Sequence, residues 1–235
     1  MSVREKIVAG NIYHVLNRGV DKRTVFLENA DYQRFIQSLH EFNSVEPTNN
    51  LAYRFSKGVQ PPKEVGHPYK EPLVDILGFC LMPNHYHLLL RPKSDGGISE
   101  FMKRMNGGYT LYFNEKHTRS GSLFQGKYKY VRISSDAHFN HILFYIHLNA
   151  LDLKMPEWRG RELANWKAAM EFLENYRWSS FQDYIGKENF PLVTHRDFLL
   201  EYFGGTQAYK KATEQWLKEI SNNYPTLKNR GFLLE

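Results

Sequence analysis

The 235 residues carry 31 Lys and Arg against 25 Asp and Glu, a net charge of +6, with 42% hydrophobic and 24% charged residues. Such proportions belong to a folded globular chain and exclude a disordered or fibrous one, and the mild excess of base is compatible with a polyanionic partner. Apolar runs such as 76–82 are far shorter than the roughly 20 residues that cross a bilayer, and residues 1–10 lack the apolar centre of a signal peptide, so a cytoplasmic protein without a membrane partner is expected. The one cysteine, Cys80, sits among Leu77, Phe79 and Leu81. It predicts an inert core thiol and leaves any metal to His, carboxylate or amide ligands.

In chain order, the alternation over 11–17 predicts a first strand, closed by Arg18-Gly19 and a polar turn through Asp21 and Lys22. From Asn29 to Phe42 the residues Tyr32, Phe35, Ile36, Leu39 and Phe42 recur at three- and four-residue steps, which predicts an amphipathic helix capped by Asn29 or Asp31. Residues 44–71 gather Pro47, Pro61, Pro62 and Pro68 and read as an irregular insertion in the core, not as a second domain. Leu73–Met82 and His85–Arg91, joined by Pro83-Asn84, predict a hairpin of central strands. A helix over Ile98–His117, a loop over Gly121–Gly126, a strand over Lys127–Ile133 and a helix from Asp136 to about Leu151 follow. The order is β-α-β-β-α-β plus one helix, the α+β, ferredoxin-like arrangement of an antiparallel sheet with helices on one face. Helical patterns over 162–176 and 207–220 extend this core, giving a division into a core of 1–155 and a helical C-terminal extension of 156–235 packed on it.

Charge is concentrated. Between Phe101 and Ile133 lie Lys103, Arg104, Lys116, Arg119, Lys127, Lys129 and Arg132 against Glu115 alone, so this window holds the whole net charge of the chain. Phe101, Tyr109, Tyr112, Phe113, Phe124, Tyr128 and Tyr130 are interleaved with it, a mixture suited to phosphate contacts and to stacking on unpaired bases. The competing reading is a solvated basic face with aromatics in the core.

His85 and His87 stand at i and i+2 of a predicted strand, which sends both imidazoles to one sheet face and Tyr86 to the other. A third ligand is needed before such a pair makes a metal site, and Asn149 supplies a candidate. It lies four residues after Tyr145 on one helix face, with His141 a turn earlier. Two imidazoles and an amide oxygen leave positions open for water and phosphate oxygens on Mg²⁺ or Mn²⁺, with Mn²⁺ favoured on softness. Beside such a cation, Tyr145 is placed to attack a scissile phosphate. His14 reads as a satisfied core histidine, with a place on the active-site face of the first strand as the second reading; His147 reads as a core histidine and Trp178 as an anchor for the C-terminal segment.

Several stretches together resemble the single-tyrosine HUH transposases, in particular the REP-associated tyrosine transposases. They are Tyr13 through Gly19, Met82-Pro83-Asn84-His85-Tyr86-His87-Leu88-Leu89, Tyr109 through Asn114, Gly121 through Gly126, Tyr145-Ile146-His147-Leu148-Asn149 and Trp178 through Phe181. The resemblance implies a ferredoxin-like core that binds a single-stranded or hairpin DNA end and nicks it through a 5′-phosphotyrosine. It implies His85 and His87 as the metal pair, Asn149 as third ligand and Tyr145 as nucleophile, with no nucleotide cofactor and a monomer in preference to a homodimer. Lys103, Arg104, Arg119, Lys127, Lys129 and Arg132 are then the expected DNA contacts. The chain departs from the family after Asn149, where Ala150-Leu151-Asp152-Leu153-Lys154 replaces the usual Pro-Val and basic stretch, and at Phe144, where Arg is common. A hairpin-binding protein of the same fold without nicking activity is the second reading, and a metal hydrolase using water the third.

Overall fold

A four-stranded antiparallel sheet organises the computed structural model, which describes residues 5–46 and 71–221. Its strands are β1 (Tyr13–Arg18), β2 (Val74–Met82), β3 (His85–Pro92) and β4 (Lys129–Arg132), in the spatial order β2-β3-β1-β4. Helix α1 (Asn29–Glu41) links β1 to β2, and α2 (Gly97–Lys116) links β3 to β4. This is the expected ferredoxin-like order. Most of the proline-rich insertion, residues 47–70, lies outside the described residues. β4 is shorter than the expected 127–133, an exposed edge strand of four residues.

The period-two alternation of β3 divides the interior into two cores. Tyr86, Leu88 and Leu90 join Val15, Phe79 and Leu81 under α1 and α2, which contribute Phe35, Leu39, Phe101, Met105 and Tyr109. Leu89 turns to the other face, with Leu77, Cys80 and Met82, and meets Ile142, Leu143 and Ile146 of α3 (Asp136–Leu148). A bulge between Ile76 and Gly78 switches the parity of β2, so that Phe79 and Leu81 stay on the α1/α2 face after Val74 and Ile76. Helices therefore cover both faces, α1 and α2 one and α3 the other. α1 and α2 form the single layer expected of the ferredoxin-like order, and the extra helix lies on the other face.

α1 starts with a reciprocal capping box between Glu28 and Asp31. α3 is capped by Ser135 and ends at Leu148, three residues before the expected end, because Asn149–Leu153 tightens into a 3-10 turn. Pro156–Gly160 forms a second such turn, followed by α4 (Trp166–Asn175), α5 (Phe181–Tyr184), α6 (Asp197–Phe203) and α7 (Thr206–Ser221). The turn at 156–160, α5 and α6 are too short to leave a periodic signal. α7 braces α3: Tyr209 stacks on Phe144 at 4.9 Å, nearly parallel. Trp178 is the anchor its sequence context suggests, stacked on Tyr32 of α1 at 4.6 Å. Cys80 is fully buried, and burial raises its thiol pKa far above the usual range. No helix among the described residues is long and apolar enough to cross a membrane.

Gly19 ties the end of β1 to its neighbours, donating its N–H to the Asn84 carbonyl at 2.9 Å. A Cβ there would sit 2.3 Å from the Arg23 carbonyl oxygen and 2.8 Å from Val25. Gly19→Ala is expected to lower unfolding free energy by about 1–3 kcal/mol in denaturant melts through overpacking; an unchanged midpoint would mean that the 19–25 turn yields freely.

His147 is fully buried, with its ring nitrogens 2.8 Å from Tyr209 Oη and 2.8 Å from Ser180 Oγ. Burial lowers its pKa from 6.5 to about 3. As pH falls the unfolded chain takes up this proton first, so the stabilisation is complete above about 6.5 and is lost towards 3, at a limiting slope of about 1.4 kcal/mol per pH unit. Melts at pH 7 and pH 4.5 should show a steeper loss for wild type than for His147→Gln. Equal slopes would exclude His147 as the source.

Candidate metal and tyrosine site

β3 presents His85 and His87 to the α3 face of the sheet, and β1 runs beside them with Leu16 opposite His87 and Arg18 opposite His85. His14 lies on the same face, two residues along β1. Its Nε2 is 2.9 Å from His87 Nδ1, with the rings stacked at 5.1 Å. The core histidine expected at position 14 is thus buried as expected, but it is part of the site. Only strand register brings it there.

Asn84 donates through Nδ2 to the Lys22 carbonyl, which turns its Oδ1 towards His85 Nδ1 at 2.6 Å. His85 Nδ1 therefore carries the proton and Nε2 keeps its lone pair. His87 Nε2 is buried and has no hydrogen-bond partner among the described residues. The His14–His87 bond admits either ring as donor; in the tautomer where His87 donates Nδ1–H, its Nε2 is a bare acceptor, a costly group to bury unless something binds it. All three rings are neutral at pH 7. Burial, followed by the Arg18 charge, lowers His85 to about 4; burial, followed by the charge of His138, lowers His14 to about 4. Burial holds His87 well below its ordinary value, with His14 and His85 adding to the effect. Neutral imidazoles with free lone pairs are what a divalent cation requires, so the pair fits one. Among the described residues no three His, Cys, Asp or Glu side chains form a metal-holding group.

α3 supplies a hydroxyl and an amide. The Tyr145 ring lies 6.0 Å from that of His14 and 6.2 Å from that of His87. Asn149 is fully buried at the end of the helix, and its Nδ2 donates to the Tyr145 carbonyl at 2.8 Å, which leaves Oδ1 at the opposite end of the carboxamide. That oxygen accepts from Arg159 Nη2 at 2.6 Å and retains one lone pair. Arg159 also reaches the Tyr145 hydroxyl, and Asp152 grips the same guanidinium. Asp152, Trp158 and Arg159 escaped the sequence reading, because the turns that carry them have no periodic signature.

His141, expected on the Tyr145 face, instead packs edge-on against Trp216 of α7 at 4.8 Å. His138 is the α3 residue whose charge acts on His14. Phe101, Tyr109, Phe113 and Phe124 of the basic window are core residues and offer no stacking surface. The basic residues do not gather on one face. Lys103 and Arg104 lie on α2, across the sheet from the histidines, and Arg104 is held by Glu100 at 2.8 Å and by the Ser44 carbonyl at 2.6 Å. Arg119 braces its own loop through Asn114 and Ser122. Arg132, opposite Tyr13, faces the α1/α2 side and pairs with Glu5. Lys129, opposite Leu16, shares the histidine face, and Lys127 is exposed just before it. Arg18 belongs to this face as well and was not singled out by the charge count.

The family model described as "Transposase IS200 like" matches residues 66–149, a span containing the hairpin with both histidines and the helix with Tyr145 and Asn149. No curated protein matches the chain. A solved structure of a REP-associated tyrosine transposase bound to a REP hairpin aligns with 82% of this chain and 89% of its own, at 13% identity and a TM-score of 0.47. Over residues 66–149, the stretch that builds the site, the chain is similar to the IS200-like transposases.

Proposed function

We propose that this protein is a DNA transposase that cuts and rejoins one strand at a single-stranded or hairpin end, using Tyr145 as nucleophile and a divalent cation at His85 and His87. The observation that carries the proposal is the bare, buried Nε2 of His87 with the Tyr145 ring 6.2 Å away, inside the span that matches the transposase family. His85, His87 and the remaining lone pair of the Asn149 oxygen would hold the cation, Mn²⁺ in preference to Mg²⁺. When bound, it neutralises the scissile phosphate and polarises it towards attack.

The chain's own residues do the rest. The Tyr145 oxygen attacks phosphorus and forms a phosphotyrosine ester on the 5′ side, while the 3′ oxygen departs and is protonated to a free 3′-OH. The phenolic proton passes to solvent, and return of a 3′-OH onto the ester reverses the step, so that no nucleotide cofactor is needed. His14 keeps the His87 proton on Nδ1 and so leaves Nε2 available. Lys127, Lys129 and Arg18 border the site and are the DNA contacts we favour, with Lys103 and Arg132 on a longer path. Arg104 and Arg119 serve their own loops first. We place the reaction in the cytoplasm, in a monomer.

The test uses end-labelled single strands carrying the hairpins that flank this gene, with Mn²⁺, on denaturing gels. Wild type is expected to give a slow-migrating covalent adduct that Tyr145→Phe abolishes and His87→Ala reduces at least 100-fold. Tight binding without an adduct would replace this reading with a non-cutting hairpin-binding protein, and cleavage that survives Tyr145→Phe would replace it with a water-using hydrolase.

A further inference from the structure

Arg159 stands on the 3-10 turn Pro156–Gly160, outside the histidine hairpin and α3, yet its guanidinium joins Tyr145, Asn149 and Asp152 around the end of that helix. Nε donates to Asp152 Oδ1 at 2.8 Å and Nη2 to Asp152 Oδ2 at 2.7 Å, a two-pronged carboxylate pair. Nη2 also donates to Asn149 Oδ1 at 2.6 Å, and Nη1 to the Tyr145 hydroxyl at 3.3 Å. The guanidinium lies 4.9 Å from the Trp158 ring centre and 5.6 Å from that of Tyr145. Trp158 in turn donates Nε1–H to Asp152 Oδ1 at 2.7 Å, which fixes the carboxylate that fixes the arginine.

Two consequences follow from donor chemistry alone. A guanidinium only donates, so the group of Asn149 that faces it has to be the oxygen. The backbone carbonyl of Tyr145 accepts from the opposite end of the same carboxamide, so the orientation is set twice. The Tyr145 hydroxyl, accepting from Arg159, keeps its own proton directed away from the guanidinium. With Asp152 occupying one edge of the fork, the charge of Arg159 is already balanced within the protein, which suits a holding role better than capture of a phosphate.

We propose that Arg159 is a positioning residue for strand cleavage: clamped by Asp152, it fixes the Tyr145 hydroxyl and the Asn149 oxygen in one rigid frame beside the histidine pair. This rests on the cleavage reading given above. A planar fork with several donors at fixed angles is needed; a lysine ammonium on a flexible stem retains the charge and loses the frame.

The variants Arg159→Lys, Arg159→Ala and Asp152→Asn test this on the full chain, with thermal melts to confirm folding and the isosteric Asp152→Asn as the safeguard. With the flanking-hairpin strands and Mn²⁺, single-turnover adduct formation should fall at least 30-fold in all three, while hairpin affinity stays within threefold. Independently of DNA, wild type should show an exchange-protected Arg159 Nε–H signal in nitrogen-15 NMR, identified by its loss in Arg159→Lys. Protection should be lost in Asp152→Asn, and the Asn149 side-chain amide signals should move in each Arg159 variant. Full activity in Arg159→Lys would overturn the proposal, since charge alone would suffice. A drop in hairpin affinity equal to the drop in rate would overturn it in favour of a DNA contact. Should wild type form no adduct, the cleavage reading fails while the NMR signals still decide the frame: an unprotected Arg159 refutes it, and a protected one leaves it standing as an arrangement of Tyr145 and Asn149.

Discussion

The two-residue period of β3 is the constraint on which the site depends. β3 lies between β2 and β1, and both of its faces are covered, so each side chain has one side on which it can be accommodated. A slip of one residue would drive His85 and His87 into the aromatic layer of Phe35, Phe101 and Tyr109 and bring Tyr86 out beneath α3. Burial of Tyr86, Leu88 and Leu90 thus specifies where the imidazoles point. The bulge at Ile76/Gly78 does the same for β2, letting a strand with an odd insertion keep its large residues on the side where α1 and α2 can cover them.

Periodic elements were legible in the sequence almost to the residue, since α1, the β2–β3 hairpin and α2 each repeat an apolar spacing over eight or more residues. Where spacing ends, so does legibility. Ala150 and Leu151 are buried and look like a continuation of α3, although the backbone has already tightened into a 3-10 turn. His85, His87 and Tyr145 could be singled out because each sits at a fixed offset from a partner in the same element. His14 stayed the weaker of two readings, because what places it is which strand lies beside which, and Arg159 could not be singled out, because what places it is where a short turn folds back. The basic window has a third cause. Its count is correct, but its partners lie elsewhere in the chain: Arg132 with Glu5, Arg104 with Glu100, Lys116 with Glu28 and Asp31. At Arg104, Lys116 and Arg132, charge that looks unopposed along the window is matched in space.

The two positions where the sequence departs from the pattern it resembles have a physical reading. Phe144, where arginine is common, is nearly fully buried and stacked on Tyr209, so that a cation there would have to be desolvated against α7. Asp152, within the other divergent stretch, is the carboxylate that holds Arg159. Both changes tie the tyrosine-bearing helix to residues beyond it: one through an aromatic stack, the other through a charged fork.

The short stretch Trp178–Ser180 runs along the outer side of β2. Leu81 donates its backbone N–H to the Trp178 carbonyl, Ser180 donates to the Phe79 carbonyl, and Cys80 and Ser179 form an isolated bridge. The nine-residue strand β2, buried along its whole length, therefore has its outer backbone partnered over residues 79–81. A chain cut off before this stretch would present a long, uncharged row of amides and carbonyls to its neighbours, the template from which intermolecular sheets grow. The lysine-bearing four-residue β4 offers little such template at the opposite margin. Protection of β2 against such pairing is in this sense encoded some hundred residues downstream of the strand that needs it.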